Sequence, residues 1–199
     1  MRKMFIGLAA AVMLGLGGGA IQAGSHGGNW TLDGAASSLA FGSVKKDTVG
    51  ETHFFRKLSG TVSPEGNVAV TIDLGSVDTL IEIRDERMIE HVFANAPEAS
   101  FSASIDIGPL SELPAGEVKI VEVSGALTFL GREVPVDSEV AVTRLGENRV
   151  MVVSEGMIWL TTEEMGIDEG ITKLQEIAEL PGITRAFPVT FRLVFDHGM

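Results

Sequence analysis

Arg84, Asp85, Glu86, Arg87 and Glu90 lie within seven residues of one another, the densest run of acids and bases in the chain. Such a run could transfer protons, yet a solvated helix face with local ion pairs has the same composition and is the commoner source of it. His26, His53, His91 and His197 are scattered without the spacing of metal ligands. Glu163, Glu164, Asp168 and Glu169 are oxygen-rich but lack the regularly spaced aspartates and central glycine of a calcium loop. There is no cysteine nucleophile, no GxSxG elbow and no HExxH pair. No catalytic or metal set emerges, so the chain is read as a non-enzyme.

What the chain offers instead is alternation. Val68, Val70, Ile72 and Leu74 share one parity, as do Phe101, Ala103, Ile105 and Ile107. Val121, Val123, Leu127 and Phe129 follow, then Val134, Val136, Val140 and Val142, and finally Phe187, Val189, Phe191, Leu193 and Phe195. Trp30/Leu32, Leu39/Phe41 and Met151/Val153 with Met157/Trp159 are weaker instances. Turn-forming stretches such as "SPEGN", "LGRE" and "LGENR" separate the runs. Eight or nine antiparallel strands with one apolar face are expected. A single sheet of that size leaves two bare edges and an uncovered apolar face, and closure into a barrel removes both. The fold predicted is all-β, an eight-stranded antiparallel barrel with one or two short helices at its ends.

Two segments depart from period two. In "IEIRDERMIEHVF" (81–93), Met88, Ile89, Val92 and Phe93 form a stripe of helical spacing, Thr79 and Glu82 have capping-box spacing, and Pro97 follows. In 168–182, Ile171, Leu174, Ile177 and Ala178 share a side and Pro181–Gly182 ends the pattern. Both are too short to stand alone and suit the ends of a barrel.

Length and charge narrow the partners. Arg2 and Lys3 precede an apolar run from Phe5 to Leu16, and small residues lead to Ala23. That is the layout of a cleavable signal peptide, 1–23, followed by one barrel domain, 24–199. The formal net charge of −12 argues against nucleic acid and against electrostatic docking on anionic lipid. With no cysteine, the domain is held by burial and hydrogen bonding alone.

The ordered segments "WTLDGAASSLAFGSVKK", "LSGTVSPEGNVAVTIDLGSVDT", "IRDERMIEHVFANAPEASFSA", "VSGALTFLGREVPV" and "MGID" together resemble the YceI family, lipocalin-like polyisoprenoid-binding barrels often exported to the bacterial periplasm. Met165 departs from the phenylalanine common at that turn, and the 168–182 segment is longer than in shorter relatives. The resemblance implies a periplasmic carrier that encloses a long-chain isoprenoid or similar amphiphile, polyprenyl or quinone-like, with no other cofactor. Phe41, Ile72, Phe101, Ile105, Leu127, Phe129, Trp159, Phe191 and Leu193 are the expected lumen lining. Arg84, Asp85, Met88, Ile89, Val92 and Phe93 are the expected lid or mouth. A barrel filled with side chains has the same alternation, so a non-catalytic interaction protein partnering a membrane redox complex stays open at this point. Transient membrane contact is compatible with either reading, and the sequence leaves open a monomer or a homodimer. Both parities of 150–160 are apolar, so the facing of Trp159 is not fixed by pattern.

Overall fold

The computed structural model describes residues 28–198; the expected signal peptide lies outside the described residues. Twelve strands are present among them: β1 (Trp30–Leu32), β2 (Ser38–Lys45), β3 (Val49–Phe55), β4 (Leu58–Val62), β5 (Asn67–Asp73), β6 (Val77–Asp78), β7 (Glu98–Ser104), β8 (Val118–Phe129), β9 (Arg132–Gly146), β10 (Arg149–Ser154), β11 (Ile158–Thr161) and β12 (Ala186–His197). They occupy eight barrel positions, because β1/β2, β3/β4, β5/β6 and β10/β11 are each one bent stave. β2 continues β1 against β12, β3 and β4 pair with β2 and β1 respectively, and β11 continues β10 against β12. Every neighbour is antiparallel and adjacent in sequence, and β1 pairs with β12 to close the ring. The predicted eight-stranded antiparallel barrel is therefore the observed fold, with up-and-down connections.

The bends have local causes. Between β1 and β2 the Asp33 carboxylate accepts the N–H groups of Ala35 and Ala36 at 3.1 Å, and Ser37 Oγ accepts the N–H of Val194 at 3.0 Å. These bonds replace ladder pairs that the bend removes. Arg149 joins Asp33 (2.7 Å) to Asp196 (2.8 Å) across the closing seam, and its hydrogen bond holds the Asp33 carboxyl below the usual carboxylate range.

Alternating up and down strands put four connections at one end and three at the other. At one end lie 46–48, 79–97, 130–131 and 162–185; at the other lie 63–66, 105–117, 147–148 and the two ends of the ring. The first end carries α1 (Glu82–Arg87), which runs into a π-helical turn (Met88–Val92), and α3 (Asp168–Ile177). The Phe93 N–H donates to Met88 O at 2.9 Å, the wide i→i+5 bond of that turn. A Cβ at Gly170 would collide with the His91 carbonyl, so α3 can lie directly on the π-helical turn only because that residue has no side chain. At the opposite end sits the single turn α2 (Gly108–Ser111).

The capping box expected from Thr79 and Glu82 does not form. Leu80 adopts a left-handed conformation (φ 64°), which moves the helix start to Ile81. Asp85 takes the reciprocal role, accepting the Thr79 N–H at 2.7 Å. The second helix stops at Ile177, short of the proline, with Glu179 at φ 51°.

Candidate functional site

The inward parity of all eight staves meets around a cavity of about 310 Å³. That lies at the small end of the range of roughly 300–1,000 Å³ seen for small-molecule pockets. Its wall is almost wholly apolar, with Ser43, Ser111, Thr162 and Thr184 among the few polar side chains. Register explains the uniformity: Phe101 faces Leu127, Ile158 faces Val189, and Leu160 faces Phe187 across neighbouring strands. A slip of one residue would turn every such pair outward. Gly125 contributes by absence, because the Phe101 ring occupies the space its Cβ would fill.

Eight of the nine expected lining residues, Phe41, Ile72, Phe101, Ile105, Leu127, Phe129, Phe191 and Leu193, border this cavity. Trp159 does not. It is 62% exposed and stands opposite Pro188 on the outer face, while Ile158 and Leu160 take the inward positions. The same correction moves Met151, Val153 and Met157 outward and Val150 and Val152 inward. β12 decides the matter, since Val152 pairs with Leu193 and the inward set of β12 is unambiguous.

At the lid, Met88, Val92 and Phe93 border the cavity and Ile89 packs behind them on the core. Phe93 packs between Phe55 (tilted, ring centroids 5.8 Å apart) and Phe129 (edge to face, 6.0 Å). Arg84 and Asp85 do not reach the lumen. Arg84 Nη1 donates to both carboxylate oxygens of Glu51 at 2.9 Å and its Nη2 to the Thr79 carbonyl at 2.6 Å. Burial opposes the ionised form of Glu51, but hydrogen bonds from Lys45 and Arg84 outweigh it and hold the carboxyl below its ordinary value. These bonds fasten α1 to the rim of β3, while Glu86 and Glu90 are exposed. The charged run 84–90 thus serves to fasten α1, with no convergent acid/base geometry.

His53 is buried, its Nε2 at 2.9 Å from Ser43 Oγ and its Nδ1 without a partner. Burial, then the Arg84 charge, lowers its pKa below the ordinary 6.5. The unfolded chain therefore binds a proton at His53 as pH falls through about 6.5, while the native state resists it. Stability should be complete above that value and decline below it. Urea midpoints measured from pH 8 to pH 5 should show this slope, flattened by His53→Gln.

The acids near the second helix order a turn. Glu164 accepts from Thr161 Oγ at 2.8 Å, and Asp168 accepts from Thr162 Oγ and lies 3.6 Å from Arg185. Among the described residues no three His, Asp or Glu side chains gather in a way that could hold a metal.

Among the lining residues that the sequence reading did not name, Arg144 is the charged one. Arg144 is 7% exposed and borders the cavity at the α2 end. Its Nη atoms donate to the carbonyls of Leu110 (2.9 Å), Ser111 (3.1 Å) and Glu147 (3.1 Å), and its guanidinium lies 5.3 Å from the centre of the Trp30 ring. Continuing the parity of Val140 and Val142 by two residues would have found it.

Comparison with known proteins agrees with this geometry. The profile of the YceI-like domain matches residues 30–195. A solved polyisoprenoid binding domain from Saccharophagus degradans, implicated in plant cell wall breakdown, is 34% identical with a TM-score of 0.83, covering 85% of this chain and 98% of that one. BcnA of Burkholderia cenocepacia shares the fold at 22% identity and a TM-score of 0.63, covering 82% of this chain and 98% of its own. No curated protein matches. An eight-stranded barrel around an unfilled apolar lumen, matched along 30–195, places this chain in the family of YceI-like domains.

Proposed function

We propose that this protein is a periplasmic carrier that shields the tail of a long-chain isoprenoid or similar amphiphile, polyprenyl or quinone-like, inside the barrel. The observation that carries the reading is the cavity: the interior is lined for burial yet left unfilled. The similarity to a solved polyisoprenoid binding domain supports the ligand class. The basic start and apolar run of residues 2–16 support export. The unfilled lumen speaks against a solid barrel that acts only through its surface.

Magnitudes define the mechanism. Taking one five-carbon unit out of water is worth roughly 4 kcal/mol at about 0.8 per carbon group. Eight units would exceed about 30 kcal/mol, beyond the ceiling of about 20 kcal/mol on non-covalent binding. The working reference is thus a bilayer, against which a lumen of similar apolarity exchanges the tail at little net cost. That suits a carrier that loads and unloads. Leu80, Ile81 and Ile83 are exposed beside the lid, and Leu80 holds its left-handed conformation there. A non-glycine residue kept at positive φ with its apolar side chain in solvent is uncommon and supports brief contact with a membrane at that end.

Transfer between vesicles tests the proposal. A radiolabelled polyprenyl alcohol in donor vesicles should reach acceptor vesicles faster in proportion to added protein, and Leu80→Glu with Ile83→Glu should slow that transfer. No acceleration by the wild-type protein at any concentration, with either the alcohol or its phosphate ester, would contradict the carrier reading.

A further inference from the structure

Arg144 is the only charged residue that lines the cavity among the described residues. A guanidinium stays protonated at any physiological pH, so burial cannot neutralise it. Most of the partly buried cations have a carboxylate: Arg84 and Lys45 meet Glu51, Arg149 meets Asp33 and Asp196, and Arg185 meets Asp168, whereas Arg87, on α1, has none among the described residues but does not border the cavity. Arg144 has none within 4 Å among the described residues, although the chain carries 27 acidic residues. Its neighbours are three backbone carbonyls and the Trp30 ring, which solvate a cation through dipoles and a π face without cancelling its charge. Its Nε–H is buried with no acceptor.

An unpaired charge in an apolar wall is costly for the empty protein and becomes favourable when an anion arrives. We propose that Arg144 anchors an oxyanion, phosphate or carboxylate, at the end of the enclosed hydrocarbon chain. The inference rests on the carrier reading and adds a head group and a polarity to it. The ligand lies with its anionic head at the α2 end, beside Arg144, and its tail toward the π-helical turn and α3. The anion supplies the missing acceptor for Nε–H and the missing counter-charge. A neutral alcohol of the same chain supplies no counter-charge, so the wall selects for the anion.

The chain has two tryptophans, and Trp159→Phe leaves Trp30, beside Arg144, as the sole indole reporter. With that protein, titrations of farnesyl phosphate against farnesol, and of palmitate against hexadecanol, read the head-group preference. The anion of at least one pair should bind tenfold or more tightly than its alcohol; which pair shows it tells phosphate from carboxylate. Arg144→Met should bring anion and alcohol affinities together, and Arg144→Lys should restore part of the gap. Equal affinities in the Arg144-containing protein would overturn the anchor while leaving the carrier reading intact. Binding of neither member of either pair would overturn both. Inorganic phosphate alone binding as tightly as farnesyl phosphate would reassign the site to free phosphate and remove the head-group claim. Should Arg144→Met fail to fold, the alcohol comparison and Arg144→Lys still decide the question.

Discussion

Val152→Trp should give a folded barrel that no longer retains a long isoprenoid. Val152 lies on β10 between Val142 and Leu193, borders the cavity and is only half-buried, so the space beside it is lumen. An indole there grows into a void more than into packed neighbours, which keeps the overpacking cost at or below about 1–3 kcal/mol. Its effect on a ligand is larger. Displacing a single isoprene unit from the lumen to water forfeits about 4 kcal/mol, near three powers of ten in affinity. Titration with geranylgeraniol should show that loss, with the circular dichroism of the barrel preserved. Thr128→Trp, on the exposed face of β8, should bind as wild type does.

The second large effect is on the lid. Phe93→Ala should destabilise the protein by about 3–5 kcal/mol, the usual cost of emptying a buried aromatic site. Phe93 is 4% exposed, and its ring is the physical link from the lid segment to Phe55 on β3 and Phe129 at the end of β8. A loss of that size lowers the melting temperature of a domain this long by roughly 10 °C. Because the same ring borders the cavity, bound lipid should also leave faster from the variant, visible as a raised dissociation rate in stopped-flow transfer to vesicles. Glu51→Gln, which loosens the Arg84 tether at the partly solvated rim, should cost much less, on the order of 1 kcal/mol.

How much of this was visible in the chain follows from where pattern and register coincide. Phe187 to Phe195 alternate without ambiguity, and that parity alone places Phe191 and Leu193 in the wall. The stripe Met88, Val92, Phe93 likewise announces a lid, because helical spacing inside a β chain has to cover something. Trp159 was not decidable, since 150–160 is apolar on both parities and only its pairing with β12 orients it. The π-helical turn left no trace, because a single wide hydrogen bond changes no residue type. The helical turn α2 was hidden in a stretch, "GPLSELPAGE", that reads only as a turn. Arg144 is obscured for a related reason: the apolar run of valines ends at Val142, where hydrophobicity stops but the strand does not. Inward charge is invisible to a search for apolar periodicity, although it is where a binding site departs from a mere core.

The central claim is that the lumen holds a lipid chain. Native mass spectrometry of the protein purified without detergent, followed by organic extraction of the same sample, tests it most directly. The expected result is a one-to-one adduct whose released mass is an isoprenoid or related amphiphile, absent from Val152→Trp. A bare polypeptide mass with an extract free of lipid, from protein that also fails to take up added isoprenoid, would contradict it.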